Sequence, residues 1–167
     1  MALHPPSEAI EFAGFVLFHC ASIADGNRDS KLVCPFAVIA DEQGRRVVNF
    51  ESETQEEAVA KGWASLPDSQ RRQEWWAFGR EGLYRTKEGA KDVLLVTVWT
   101  PKMKEPASVM QRFARGLEQE IYLVGSPDLL LHGPEGAEPV ANWDQESLER
   151  GIASHPKGGK WPTWCQQ

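Results

Sequence analysis

The chain of 167 residues predicts an α+β fold: an antiparallel sheet of five or six strands, two principal helices in the order α-β-β-α-β-β-β, and an irregular C-terminal appendage. Three observations predict it. Residues 31–66 read as strand, tight turn, strand and capped helix. Residues 92–100 form an almost wholly apolar, β-branched run, the pattern of a central strand covered on both faces. Residues 7–23 carry apolar side chains at helical spacing behind a proline-rich entry.

Taken in order, Pro5-Pro6-Ser7-Glu8 supplies proline ahead of a helix, a hydroxyl cap and an acid in the first turn. Phe12, Phe15, Val16, His19, Cys20 and Ile23 then share one face, and Ile10, Ala13, Leu17 and Ala21 fill much of a second. A helix apolar around so much of its circumference is buried on two sides. Phe-Val-Leu-Phe has high strand propensity, but length and capping select helix. After a polar turn at 25–30, the runs 31–40 and 45–50 flank Asp41-Glu-Gln-Gly44 as a hairpin. Pro35 lacks an amide hydrogen, so that end of the first strand is expected at a sheet edge or a bulge.

Thr54-Gln-Glu-Glu57 is a capping-box pattern that opens a helix over 55–66. Ala58, Val59, Gly62, Trp63 and Leu66 lie on its buried stripe, Glu56, Glu57 and Lys61 face water, and Pro67-Asp68-Ser69 ends it. A meander follows. Segments 74–79 and 83–86 are expected to pair across the turn Arg80-Glu81-Gly82. Residues 101–106 form a loop. The alternating segment 108–115 is assigned to strand over the rival short helix. Residues 120–124 are the last strand, and Leu129-Leu130-Leu131 a helical turn. From Gly133 glycine and proline punctuate the chain, with one short helix at 144–152. The division is therefore a domain over 1–132 and an appendage over 133–167, tied back by Trp143, Trp161 and Trp164. Over about residues 7–131 this element order resembles roadblock- or profilin-like domains, a helix-and-sheet scaffold used mostly for dimerisation and docking. The resemblance implies a docking scaffold and brings no functional residue with it.

A formal charge of −6 argues against a nucleic-acid ligand, which requires a basic stripe. Residues 1–60 hold 10 acidic side chains against 4 basic ones, which suggests a solvated acidic face or a surface for a basic partner. Cys20, Cys34 and Cys165 make neither a CxxC pair nor a disulfide framework, so a reducing, cytoplasmic setting is expected. The apolar run 8–18 is interrupted by Glu11 and too short to span a bilayer, and no basic leader precedes it; no membrane partner is expected.

Chemistry-bearing patterns are sparse. Gly125-Ser-Pro-Asp128 and His155-Pro-Lys-Gly-Gly-Lys160 lack the strand–glycine–helix context of a phosphate cradle. His4, His19, His132 and His155 are scattered without ligand spacing, and the adjacent His19 and Cys20 point about 100° apart on a helix. No metal and no cofactor are expected. Asp41-Glu42 and Glu56-Glu57 are explained by a turn and by a helix dipole. The candidate nucleophiles are Cys34 and Cys20, with His19 or His132 as base and Asp128 as orienter. Free cysteine is nevertheless among the most buried residue types, and no local signature accompanies either one.

Seven tryptophans are too many for all to point inward on simple strands, and indoles favour interface centres. Trp75, Trp76, Phe78, Arg80 and Tyr84, with Arg71, Arg72 and Arg85 interleaved, form the candidate binding surface for a protein partner or a second copy. The expected function is thus that of a cytoplasmic interaction or accessory module that self-associates as a homodimer or neutralises a basic protein. The alternatives are a small Cys/His hydrolase or transferase, and a small-ligand sensor whose pocket lies between the first helix and the sheet, lined by Phe15, His19 and Trp99.

Overall fold

Proline at 5 and 6 holds the chain extended until α1 (Ser7–Gly26) begins. Pro6 occupies the cap position, and Ser7 is already helical. Its hydroxyl donates instead to Asp144 Oδ2 at 2.9 Å. The remaining elements are β1 (Phe36–Asp41), β2 (Gly44–Asn49), α2 (Gln55–Ala64), α3 (Leu66–Arg71), β3 (Trp75–Thr86), β4 (Gly89–Trp99), β5 (Ala107–Arg115), β6 (Ile121–Gly133), β7 (Gly136–Pro139), α4 (Gln145–Ser154) and α5 (Trp161–Trp164). This computed structural model describes residues 4–29, 31–133 and 136–165.

One mixed helix-and-sheet body results, with a seven-stranded antiparallel sheet ordered β2-β1-β3-β4-β5-β6-β7. The sheet has more strands than the five or six expected, with β7 the unexpected one, and two of its strands run through positions where turns were expected. Residues 75–86 are one strand, and Arg80–Gly82 pairs with Val93–Leu95 instead of turning. The turn lies at Lys87-Glu88, where Gly89 takes φ +110° and Thr86 Oγ1 accepts from the Glu88 amide at 3.1 Å. Likewise Leu129-Leu130-Leu131 is not a helical turn but part of β6, opposite Ala107–Val109. Gly125, at φ +71°, carries a bulge. Gln111 fills it by donating from Nε2 to the carbonyls of Arg112, Val124 and Gly125.

Pro35 stands one residue ahead of β1, an internal strand rather than an edge, and accepts from the Phe50 amide at 2.8 Å. Pro67 does not end the helical region; it lies in the first turn of α3, where its missing N–H costs no helical bond. Thr54 caps α2 as its pattern predicts, accepting from the Glu57 amide at 3.1 Å.

α1 and α4 cover one face of the sheet, over Phe36, Val38, Ala77, Leu94, Val96, Val109, Leu123 and Leu129. Leu148, Ile152 and Trp164 join this cluster, so the C-terminal residues form part of the core and are far from irregular. α2 and α3 cover part of the other face, over Ala37, Ile39, Trp76, Phe78 and Trp99. The apolar segment that begins α1 belongs to a 20-residue helix with the length and hydropathy of a membrane span. It is 67% buried inside the protein, beneath α4 and the sheet.

Candidate partner-binding site

β3 outlasts its neighbour. β1 pairs with it only from Trp75, opposite Ala40, to Gly79, opposite Phe36. β4 stays with it to Thr86, opposite Gly89, and β5 leaves β4 at Val93. Residues 82–92 therefore project as a two-stranded arm. In an antiparallel ladder every second residue turns its N–H and C=O away from its partner strand. Along 80–86 no strand among the described residues takes up those outward groups.

A groove of about 480 Å³ opens at the root of the arm. Leu32, Val59 and Leu83 give it apolar walls, while Glu56, Glu81 and Asp92 set three carboxylates against the single guanidinium of Arg80. Leu83 is 70% exposed and Leu32 53%. Glu81 is buried and accepts from the Val33 amide at 3.0 Å. Burial pushes its carboxyl above the ordinary value of 4.5. Arg80 is half-buried, has no ion pair among the described residues, and has its pKa drawn down by the same desolvation.

Register fixes which wall belongs to which side. Glu81 sits opposite Leu94 of the α1-side core, so Leu83 and its partner Asp92 share that face. Val59 packs with the α2-side cluster of Trp76 and Phe78, and Glu56 lies one turn before it. The α1 side of the overhang thus offers Leu83 with the carboxylates of Glu81 and Asp92, and the α2 side Val59 with that of Glu56.

Of the surface expected from sequence, Tyr84 is exposed on the arm and Arg80 lines the groove. Trp76 and Phe78 are corrected: both are buried under α2 and α3, and Trp76 Nε1 donates to Ser65 Oγ at 2.9 Å. Trp75 is half-buried and meets Phe12 edge-on at 5.8 Å. Indole count failed as a surface signal because the sheet has two covered faces, each able to absorb large rings.

The thiols and imidazoles do not meet among the described residues. Cys20 is buried, and desolvation pushes its thiol far up. Cys34 lies 3.7 Å from the carbonyls of Pro35 and Phe50, its thiol also raised by burial. His19 Nδ1 faces His155 Nε2 at 3.4 Å. His132 Nε2 lies 2.7 Å from Ser108 Oγ, which lies 2.8 Å from Thr97 Oγ1. Sequence reasoning missed this chain because its members are separate residues on three adjacent strands. Ser108 is only 3% exposed, with Trp63 against the His132 ring, so it forms a buried polar bridge. Asp128 is four residues from His132 on β6, about 13 Å along the strand. Phe15 and His19 pack on the α1 side of the sheet and Trp99 on the α2 side, so they line no common pocket. No cluster of three metal-ligating side chains occurs among the described residues.

No protein-family model, curated protein or solved structure matches the chain.

Proposed function

We propose that this protein is a cytoplasmic accessory module that binds another protein through the groove at the root of the β3–β4 arm, and that the stretch it takes is basic and apolar. The observation that carries the reading is the exposure of Leu32 and Leu83 beside Glu56, Glu81 and Asp92. Exposed leucines at a rim of fixed charge gain from burial, about 1.5–3 kcal/mol for each side chain fully covered. The carboxylates favour cationic partners and raise their encounter rate. The net charge of −6 acts in the same direction at longer range. Three free cysteines, with no disulfide among them, suit a reducing compartment.

Fluorescence anisotropy with a labelled heptapeptide, Val-Val-Lys-Lys-Val-Val-Lys, tests the reading. Its doublets alternate apolar and cationic side chains along each face of an extended chain, matching the two walls. Binding is expected to weaken with added salt. It is also expected to fall by about tenfold or more when Glu56→Lys and Asp92→Lys are combined. Equal binding of the peptide with glutamate in place of lysine would contradict it.

A further inference from the structure

We infer that the groove's occupant binds as an added β-strand, its backbone pairing with the free edge of β3 at 80–86; this deepens the partner-binding reading and rests on it. Three observations converge on that edge. First, its length of seven residues, about 23 Å, turns three or four N–H and C=O pairs outward, enough to register a short extended segment. Second, the two outermost strands of the sheet are protected in the usual ways. β7 has four residues and ends at Pro139, and β2 carries two charged residues, Arg45 and Arg46. The overhang has no proline and no bulge. Third, walls stand on both sides of the edge. Leu83 with Asp92 and Val59 with Glu56 would receive the alternating side chains of an incoming strand.

An edge built in this way recognises a segment by its backbone and by the spacing of its side chains. Its occupant is an extended stretch of a partner with apolar and basic residues on both faces and no proline at the paired positions. A helical ligand would leave the outward amides of 80–86 unpaired.

The test separates backbone from side-chain recognition. Two versions of the Val-Val-Lys-Lys-Val-Val-Lys peptide are made, one N-methylated at the odd residues and one at the even residues. Side chains are identical, but only one set of amides can face β3. Strand addition predicts that one version loses about tenfold or more in affinity while the other stays within about threefold of the parent. It also predicts that hydrogen exchange slows at alternate residues of 80–86 when the parent peptide is bound. Equal binding of both versions, or equal loss in both, overturns strand addition and leaves the partner-binding reading standing if the parent binds. No binding by the parent overturns both. A glutamate peptide bound as tightly as the parent, with the same odd–even split, removes the basic-partner reading and keeps the strand. A concentration-dependent dimer seen by light scattering, dispersed by Leu83→Asp and blind to the peptide, assigns the edge to a second copy and overturns the proposal.

Discussion

The amide of Val33 donates to Oε1 of Glu81 at 3.0 Å, and that bond ties the chain entering β1 to the overhang of β3. It holds one wall of the groove, because Leu32 stands next to the donor. Removing the acceptor strands a buried N–H, which costs about 1–3 kcal/mol. Glu81→Ala is therefore expected to lower stability by that amount in urea titrations, and Glu81→Gln, which keeps an acceptor oxygen, by less. Equal losses in the two variants would contradict the role of the bond.

Acid should destabilise the fold through its imidazoles. His19, His132 and His155 are all held below the ordinary 6.5 by burial, and His155 also by the neighbouring charges of His19 and Lys157. As pH falls, the unfolded chain binds protons first. Stability is complete above about 6.5 and is lost as pH drops through the lower folded values. Glu81 acts in the opposite sense, since its raised pKa favours the fold as pH falls toward 4.5. The melting temperature of Glu81→Gln between pH 7.5 and 5 should thus decline, and more gently when His155→Gln is added. A flat profile would contradict the assignment.

The two helices on the covered face touch through their backbones. A Cβ at Gly151 would collide with the carbonyl of Glu11, and one at Gly14 with the carbonyl of Leu148. Gly151→Ala must push α4 away from α1, and overpacking of this kind costs about 1–3 kcal/mol. Circular-dichroism melts should show the loss in Gly151→Ala and none in Gly159→Ala, where nothing lies within 4 Å.

Trp76→Ala should unfold or severely weaken the protein instead of abolishing a contact. The indole is fully buried and is stacked against Phe78 at 5.8 Å, and truncating such a ring costs about 3–5 kcal/mol. A soluble variant with unchanged stability would place the ring on the surface after all.

How far the sequence could be read follows from these same residues. Helical spacing identified α1, the capping box at Thr54 identified the start of α2, and alternation identified β5, because each signal is local. Arg80-Glu81-Gly82 misled because a glycine flanked by charges satisfies turn chemistry as well as strand geometry. Only pairing with Val93–Leu95 decides between them. The groove was invisible for a stronger reason: it exists because β1 stops short at Phe36 while β3 continues to Thr86, a mismatch in strand lengths that no local pattern encodes. Of its lining, Arg80 was singled out for its residue type, whereas Leu32, Val59, Leu83 and Asp92 carry no signal until brought together.

The most direct measurement is a paired comparison on Leu83→Asp. Leu83 is 70% exposed, so its substitution should leave the unfolding free energy within the range of ordinary surface changes, about ±0.5 kcal/mol. The account predicts that the same variant binds the Val-Val-Lys-Lys-Val-Val-Lys peptide about tenfold more weakly than the wild-type protein. Undiminished binding by a stably folded Leu83→Asp variant would contradict it.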